Sequence, residues 1–137
     1  LRVKVMDAMD KQLIFVDAKT PAIDAVKLMV EKSVWSVLVK KSGKVVGIIT
    51  ERDYLRRCLA KGLDGKTIPA EKIMSSPLIT IKPDAALGDA LAMMTQKGVR
   101  RLYIMENNEV IGRITQRDLM QKTLEVFLEL HSVSHMI

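Results

Sequence analysis

The sequence is poor in the residues on which disulfide-bonded and metal-bound small proteins depend. Cys58 is its only cysteine, so no internal disulfide can form. Its two histidines, His131 and His135, have no third ligand nearby, and we predict no metal site. A chain of 137 residues is long enough to be stabilised by a hydrophobic core alone.

Long apolar runs are also missing. No stretch approaches the roughly 20 residues that a membrane-spanning helix requires. The chain shows no signal-like start, and a single cysteine is typical of a reducing compartment. We therefore expect a cytoplasmic protein that does not act on a membrane.

Motifs for catalysis are absent as well. The sequence contains no phosphate-binding loop of the Walker type, no nucleophile elbow and no cluster of metal ligands. No histidine precedes residue 131, so the body of the chain lacks the usual base at neutral pH. The sequence predicts neither an enzyme nor catalytic residues nor a catalytic cofactor.

Positive charge is in excess, with 22 Lys and Arg against 16 Asp and Glu, a formal net charge of +6. Such a balance suits an anionic partner, such as a phosphate, a nucleic acid or an acidic protein surface, or simply a well-solvated surface. Arg56–Arg57 and Arg100–Arg101 suggest nucleic acid. The few aromatic residues are not interleaved with them as a single-strand platform requires, so we expect no nucleic-acid partner.

The sequence matches itself without gaps at a shift of 65 residues, which indicates an internal duplication. Identical pairs run from Met9 and Met74 to Asp53 and Asp118. The densest identity lies in Gly47, Ile49, Thr50, Arg52 and Asp53, which match Gly112, Ile114, Thr115, Arg117 and Asp118.

Each copy reads as the same order of elements, β-α-β-β-α. A short apolar strand is followed by a helix with an apolar stripe, then a hairpin, then a final helix. Thr20 and Asp84 are the predicted helix caps, and because they are 64 residues apart we expect the two helix starts to differ by one residue. The predicted strands are 13–16, 37–39 and 45–50, then 78–81, 102–105 and 110–115, and the final helices are 51–61 and 116–130.

The predicted fold class is α+β, with two tandem β-α-β-β-α repeats. We assign 5–61 to the first repeat, 62–71 to a connector, 72–130 to the second repeat and 131–137 to a C-terminal tail. A lone repeat of about 50 residues would be marginally stable. We therefore expect the copies to pack with pseudo-twofold symmetry into one module with two equivalent clefts.

The repeated string Gly-x-x-Thr-x-Arg-Asp lies where a strand leads into a helix. Its Thr suits the N-cap, and an Asp three residues later suits a capping box. The same residues also suit a ligand, because a carboxylate can accept two hydrogen bonds from a ribose diol. Gly47 and Gly112 allow close approach of either a ligand or a neighbouring backbone.

The doubled unit, this closing motif and the run Met74-Ser75-Ser76-Pro77-Leu78-Ile79-Thr80-Ile81 resemble a pair of cystathionine-β-synthase-type (CBS) domains, the Bateman module. The resemblance covers about residues 5–130. It implies a regulatory module that binds AMP, ADP, ATP or S-adenosylmethionine between the copies. It also implies that the ligand changes the conformation of a homodimer and so acts on an unidentified partner protein.

The resemblance also implies two sets of site residues. Asp53 and Asp118 would hold the ribose hydroxyls, the threonines would contact ribose or phosphate, and Ile14 and Ile79 would border the adenine. The first set is Ile14, Val34, Trp35, Arg113, Thr115 and Asp118; the second is Ile79, Val99, Arg100, Thr50, Asp53 and Ile48.

The two sets differ at matched positions. Ile48 stands where the second copy has Arg113, and Trp35 stands where it has Arg100, so the sets are expected to differ in ligand preference. Arg100, Arg101 and Arg113 are the candidates for phosphate contacts, and Trp35 could stack on a base. The alternative function is a structural dimerisation module whose clefts stay empty.

Overall fold

The computed structural model describes residues 3–136. It confirms the predicted order of elements in both copies, and the observed bounds differ from the predicted ones by a few residues. The strands are β1 (Phe15–Asp17), β2 (Ser36–Lys41), β3 (Lys44–Thr50), β4 (Thr80–Ile81), β5 (Arg101–Glu106) and β6 (Glu109–Thr115). The helices are α1 (Ala22–Lys32), α2 (Glu51–Tyr54), α3 (Leu87–Lys97) and α4 (Gln116–Met136).

The final helices differ from their predicted ends. In the first copy, α2 widens after one turn into a π-helical segment, Leu55–Leu59. In the second copy, α4 continues past the predicted Leu130 to Met136, so most of the predicted tail is helical. Ile137 and the side chain of His135 lie outside the described residues.

The strands form two three-stranded sheets of the same design, ordered β1-β2-β3 and β4-β5-β6. In each sheet the first pair is parallel, with Phe15 opposite Leu38 in one and Thr80 opposite Tyr103 in the other. The second pair is antiparallel. A parallel pair needs a crossover connection, and α1 and α3 supply it.

The hairpins close on tight two-residue turns. Ser42 and Gly43 have φ angles of 53° and 78°, and Asn107 and Asn108 have φ angles of 52° and 63°. Two successive residues with positive φ match the twist of the flanking strands, and Asn and Gly tolerate that conformation. Both predicted hairpins are therefore confirmed. One is closed by a Ser-Gly turn and the other by an Asn-Asn turn.

The chain divides into two compact units, a first unit of Leu13–Leu78 and a second unit of Leu1–Gln12 together with Ile79–Ile137. Each has its own apolar core. The core of the first unit includes Met29, Val37 and Ile49. The core of the second unit includes Met94, Leu102 and Ile114.

The units do not coincide with the sequence repeats, because each contains the leading segment of the other repeat. Residues 70–77 belong to the first unit, where the Ala70 N–H donates to the carbonyl of Thr20 at 2.7 Å. Residues 5–12 belong to the second unit, where the Val5 N–H donates to the carbonyl of Ala85 at 2.7 Å.

The predicted one-residue offset between the helix starts is wrong. The helices begin at Ala22 and Leu87, which are 65 residues apart, like the rest of the repeat. The predicted caps, Thr20 and Asp84, do not cap. At α3, Asp89 instead accepts the Ala86 N–H at 3.2 Å, a contact made from inside the first turn.

The presence of glycine at both matched positions, Gly47 and Gly112, has a steric cause. A Cβ atom on Gly47 would lie 2.6 Å from Sδ of Met74 and 2.8 Å from the carbonyl oxygen of Ser75. A Cβ atom on Gly112 would lie 2.6 Å from Sδ of Met9. Of the two readings left open by the sequence, the neighbouring backbone is the one that occupies this space.

Gly47→Ala should therefore destabilise the protein by about 1–3 kcal/mol, because the new methyl group meets a backbone carbonyl that cannot move freely. Gly88→Ala is the matched control. A Cβ atom there meets nothing within 4 Å, and alanine in a helix is favoured over glycine by about 0.5–1 kcal/mol. Urea unfolding measures both. Equal stability of the two variants would contradict the steric account.

An ion-pair cluster joins three segments of the first unit. Glu71 Oε1 lies 2.7 Å from Lys19 Nζ, and Glu71 Oε2 lies 3.3 Å from Lys41 Nζ. The hydrogen bond from Lys19, followed by the nearby ammonium of Lys41, holds the pKa of the Glu71 carboxyl below its usual range. At the equivalent position the second unit has Met6, so the cluster is not duplicated.

Acid should weaken this cluster. A folded-state pKa below the unfolded value means that the stabilisation is complete above about pH 4.3 and is lost as the pH falls through the folded-state pKa. Glu71→Gln should lower stability near pH 7 and make the loss below pH 4 shallower. Glu106→Gln is the control, since Glu106 is exposed and has no ion pair among residues 3–136. Parallel curves for Glu71→Gln and the parent protein would contradict the prediction.

Candidate functional site

The predicted capping box at Thr50 is confirmed. Thr50 Oγ1 accepts the Asp53 N–H at 3.1 Å, and Asp53 Oδ2 accepts the Thr50 N–H at 2.9 Å. The Thr50 hydroxyl also donates to Asp53 Oδ2 at 3.1 Å. These bonds satisfy backbone donors that the start of α2 leaves without helical partners.

The second copy repeats the arrangement at Thr115. Thr115 Oγ1 accepts the Asp118 N–H at 3.2 Å, and Asp118 Oδ2 accepts the Thr115 N–H at 2.8 Å and the Thr115 hydroxyl at 3.0 Å. Each unit thus contains one capping pair, Thr50 with Asp53 or Thr115 with Asp118. In both pairs the aspartate Oδ2 accepts the hydrogen bonds from the backbone N–H and the hydroxyl of the Thr at the start of the helix.

The remaining carboxylate oxygen of Asp53 has partners of its own. Asp53 Oδ1 accepts a hydrogen bond from the Ser75 hydroxyl at 2.8 Å, and Arg57 Nε lies 3.7 Å away. Arg57 also donates to the carbonyl of Met74 at 2.7 Å. Only 8% of Asp53 is exposed. Both oxygens of this carboxylate are engaged within the first unit.

Asp118 is partly exposed. Its second carboxylate oxygen, Oδ1, has surroundings different from those of Oδ1 in Asp53. Within the described part of the chain no donor lies within hydrogen-bond distance of Asp118 Oδ1. The residues at the positions of Ser75 and Arg57 are Asp10 and Lys122. Asp10 accepts the Gln12 N–H and pairs with Arg113 at 3.5 Å, and Lys122 pairs with a glutamate one turn along α4. The two capping pairs are therefore chemically unequal.

Arg113 and Ile48 occupy matched positions on the last strands. Ile48 is buried. The Arg113 side chain is only 18% exposed and pairs with Asp10. It is therefore not an exposed surface arginine. Its Nε is buried and has no hydrogen-bond partner in the described region. Arg100, in contrast, is exposed.

Trp35 and Arg100 lie beside the capping pair of their own unit. The carbonyl of Trp35 accepts the N–H of Glu51 at 3.2 Å, and the carbonyl of Arg100 accepts the N–H of Gln116 at 3.0 Å. Trp35 as a whole residue is 68% exposed. Val34 and Val99 precede them and are half-buried against the two cores.

Ile14 and Ile79 come just before the first strand of each sheet. The carbonyl of Ile14 accepts the Leu38 N–H at 2.8 Å, and that of Ile79 accepts the Tyr103 N–H at 3.0 Å. Both side chains are partly buried. Packing of these side chains against the two cores accounts for isoleucine in both copies without a ligand.

The two predicted site sets are divided between the units. The first unit contains Ile14, Val34, Trp35, Ile48, Thr50 and Asp53; the second contains Ile79, Val99, Arg100, Arg113, Thr115 and Asp118. Within a unit, the strand-start residues of one set therefore lie beside the capping pair of the other. The composition of each complete set stays a prediction.

Sequence reasoning missed Ser75, Arg57 and Asp10 as neighbours of the motif. Ser75 and Asp10 are matched positions, each directly after the methionine that opens its repeat. Their difference was visible in the self-alignment. The contact of Ser75 with Asp53, 22 residues away, could not be predicted from the self-alignment. It exists because the leading segment of one repeat packs on the other repeat.

No helix among the described residues is both long and apolar enough to cross a membrane. Nor does that region contain a group of three or more His, Cys, Asp or Glu side chains that could hold a metal ion.

Two β-α-β-β-α repeats, each leading into its final helix through a Thr–Asp capping pair, define a duplicated α+β module. The family model of the CBS domain matches residues 5–60 and again 70–125. The chain belongs to the CBS-domain family.

Two curated proteins and a solved structure are similar to this chain over most of its length. The CBS domain-containing protein YhcV of Bacillus subtilis is 34% identical over 84% of this chain and 81% of its own length. A Methanopyrus kandleri protein, MK0525, is 35% identical over 73% of this chain, which spans only 52% of that relative. A crystal structure from Pyrococcus horikoshii superposes with a TM-score of 0.83 at 32% identity, covering 89% of this chain and 92% of that one.

Proposed function

We propose that the chain is a non-catalytic regulatory module that binds an adenosyl ligand, AMP, ADP or ATP, with S-adenosylmethionine as a further candidate. The ligand would use the two predicted site sets and favour one conformation of the module, and so act on a partner protein. The observation that carries this proposal is the Asp118 carboxylate. Thr115 holds the carboxylate through two hydrogen bonds to Oδ2, while Oδ1 is left to accept bonds from a ribose diol.

The cations near the motif support a ligand with a phosphate. Arg100, the cation of the second site set, is exposed. Arg113, the cation of the first set, has a buried Nε with no hydrogen-bond partner among the described residues. A guanidinium binds phosphate through two parallel hydrogen bonds. Adenosine alone should consequently bind more weakly than AMP.

The ligand proposal predicts a thermal shift. AMP, ADP or ATP at about 100 times its dissociation constant stabilises the native state by about 2.7 kcal/mol, which raises the melting temperature by several degrees. Asp118→Ala should reduce this shift, because it removes the acceptor for the ribose hydroxyls. Differential scanning fluorimetry over a concentration series measures both effects.

Asp89→Ala is the matched control. Asp89 caps α3 through the Ala86 N–H in the way that Asp118 caps α4, but it has no Thr partner and lies in another helix. The control should lower the melting temperature and keep the full ligand shift. If none of the four adenosyl ligands moves the melting temperature at millimolar concentration, the proposed function is wrong. The chain would then be a structural dimerisation module.

A homodimer is the second part of the proposal. Four large apolar side chains are exposed along one face of α4, at i, i+4, i+7 and i+8: Met120, Leu124, Phe127 and Leu128. Leu55 and Leu59, at the positions of Met120 and Leu124 in the first copy, are exposed as well. Apolar surface of this extent and regularity is typical of a subunit interface.

Leu124→Glu should therefore shift the protein towards the monomer, because it places a charge in the middle of the apolar face. Leu130→Glu is the control: Leu130 is equally exposed but lies about 120° away around the helix. Sedimentation velocity distinguishes the two species. A monomeric parent protein, or dissociation by both substitutions alike, would contradict the assigned interface.

A further inference from the structure

The capping pairs differ in which carboxylate oxygens are available. In both pairs Oδ2 accepts the Thr backbone N–H and the Thr hydroxyl. Oδ1 of Asp53 also accepts the Ser75 hydroxyl at 2.8 Å, with Arg57 Nε at 3.7 Å. Oδ1 of Asp118 has no donor among the residues that the structure describes.

The difference has an identifiable origin in the leading segments. Ser75 and Ile48 exchange both backbone hydrogen bonds, at 2.8 and 3.0 Å, which holds the serine beside Asp53. Asp10 and Arg113 exchange the same two bonds in the second unit, at 2.8 and 2.9 Å. A carboxylate there cannot donate to Asp118, and Arg113 attracts it instead.

We infer that the two nucleotide sites of the proposed function are unequal and that Ser75 is the residue that makes them so. The site containing Asp118 binds a ribose diol directly, because one carboxylate oxygen is free to accept both hydroxyls. The site containing Asp53 binds only after the diol displaces the Ser75 hydroxyl from Oδ1. Displacing a hydrogen bond to a charged group weakens binding by about tenfold or more.

The inference deepens the proposed function and rests on it. It also assigns the inequality to a contact inside one unit, whereas the sequence suggested Ile48 against Arg113 and Trp35 against Arg100. Those pairs differ in charge and stacking, which favour one base or phosphate over another. Ser75 acts on the ribose hydroxyls alone.

Isothermal titration with AMP tests the inference. The parent protein should show two phases whose dissociation constants differ by about tenfold or more. Asp118→Asn should weaken the tight phase by about tenfold or more, and Ser75→Ala should strengthen the weak phase while leaving the tight one unchanged. Asp10→Ser, which places a hydroxyl donor where the second unit lacks one, should weaken the tight phase by a similar factor.

A second ligand separates a ribose contact from a structural effect. 2′-Deoxy-AMP should bind the tight site of the parent protein about tenfold more weakly than AMP, whereas Asp118→Asn should bind the two ligands equally at that site. Far-ultraviolet circular dichroism shows whether each variant folds. If an aspartate variant does not fold, the titrations of Ser75→Ala and Asp10→Ser still test the inference.

The outcomes separate the two proposals. No heat from AMP, ADP, ATP or S-adenosylmethionine with the folded parent protein overturns the proposed function. Two equal phases, equal losses from Asp53→Asn and Asp118→Asn, or no effect of Ser75→Ala overturns the inequality and leaves nucleotide binding in place.

Discussion

The architecture depends on a close backbone approach between the leading segment of one repeat and the last strand of the other. Ser75 with Ile48, and Asp10 with Arg113, exchange two backbone hydrogen bonds each. The approach is possible only because Gly47 and Gly112 have no side chain where the segments pass. The same contact covers the sheet, completes the core and decides which side chain faces each capping pair. Packing and site chemistry therefore share one origin.

Duplication made the fold readable from the sequence. Matching two copies fixed the order of elements, because a pattern that is ambiguous once is informative when it recurs at a constant spacing. The hairpins were predictable because Gly43 and the Asn107–Asn108 turn carry local signals for positive φ. The capping boxes at Thr50 and Thr115 were predictable for the same reason, since all their partners lie within three residues.

The missed features are those that depend on residues far apart in the chain. Thr20 and Asp84 look like helix caps, but the backbone of Thr20 is bonded to Ala70, and α3 is capped from within by Asp89. The self-alignment identifies which residues are equivalent and says nothing about which segment packs on which sheet. The exchange of leading segments, and with it the contact of Ser75 with Asp53, lay beyond local reasoning.

The exchange also has a consequence for the order in which the protein is synthesised. The first unit is complete once the ribosome has added residue 78, since all its segments are then present. Residues 5–12 are translated earlier, yet their hydrogen-bond partners Ala85 and Arg113 are translated much later. Residues 5–12, which are translated before the first unit, thus acquire these native contacts only after that unit is complete. During that interval the Val5 side chain, fully buried in the finished protein, is exposed to water or bound by a chaperone.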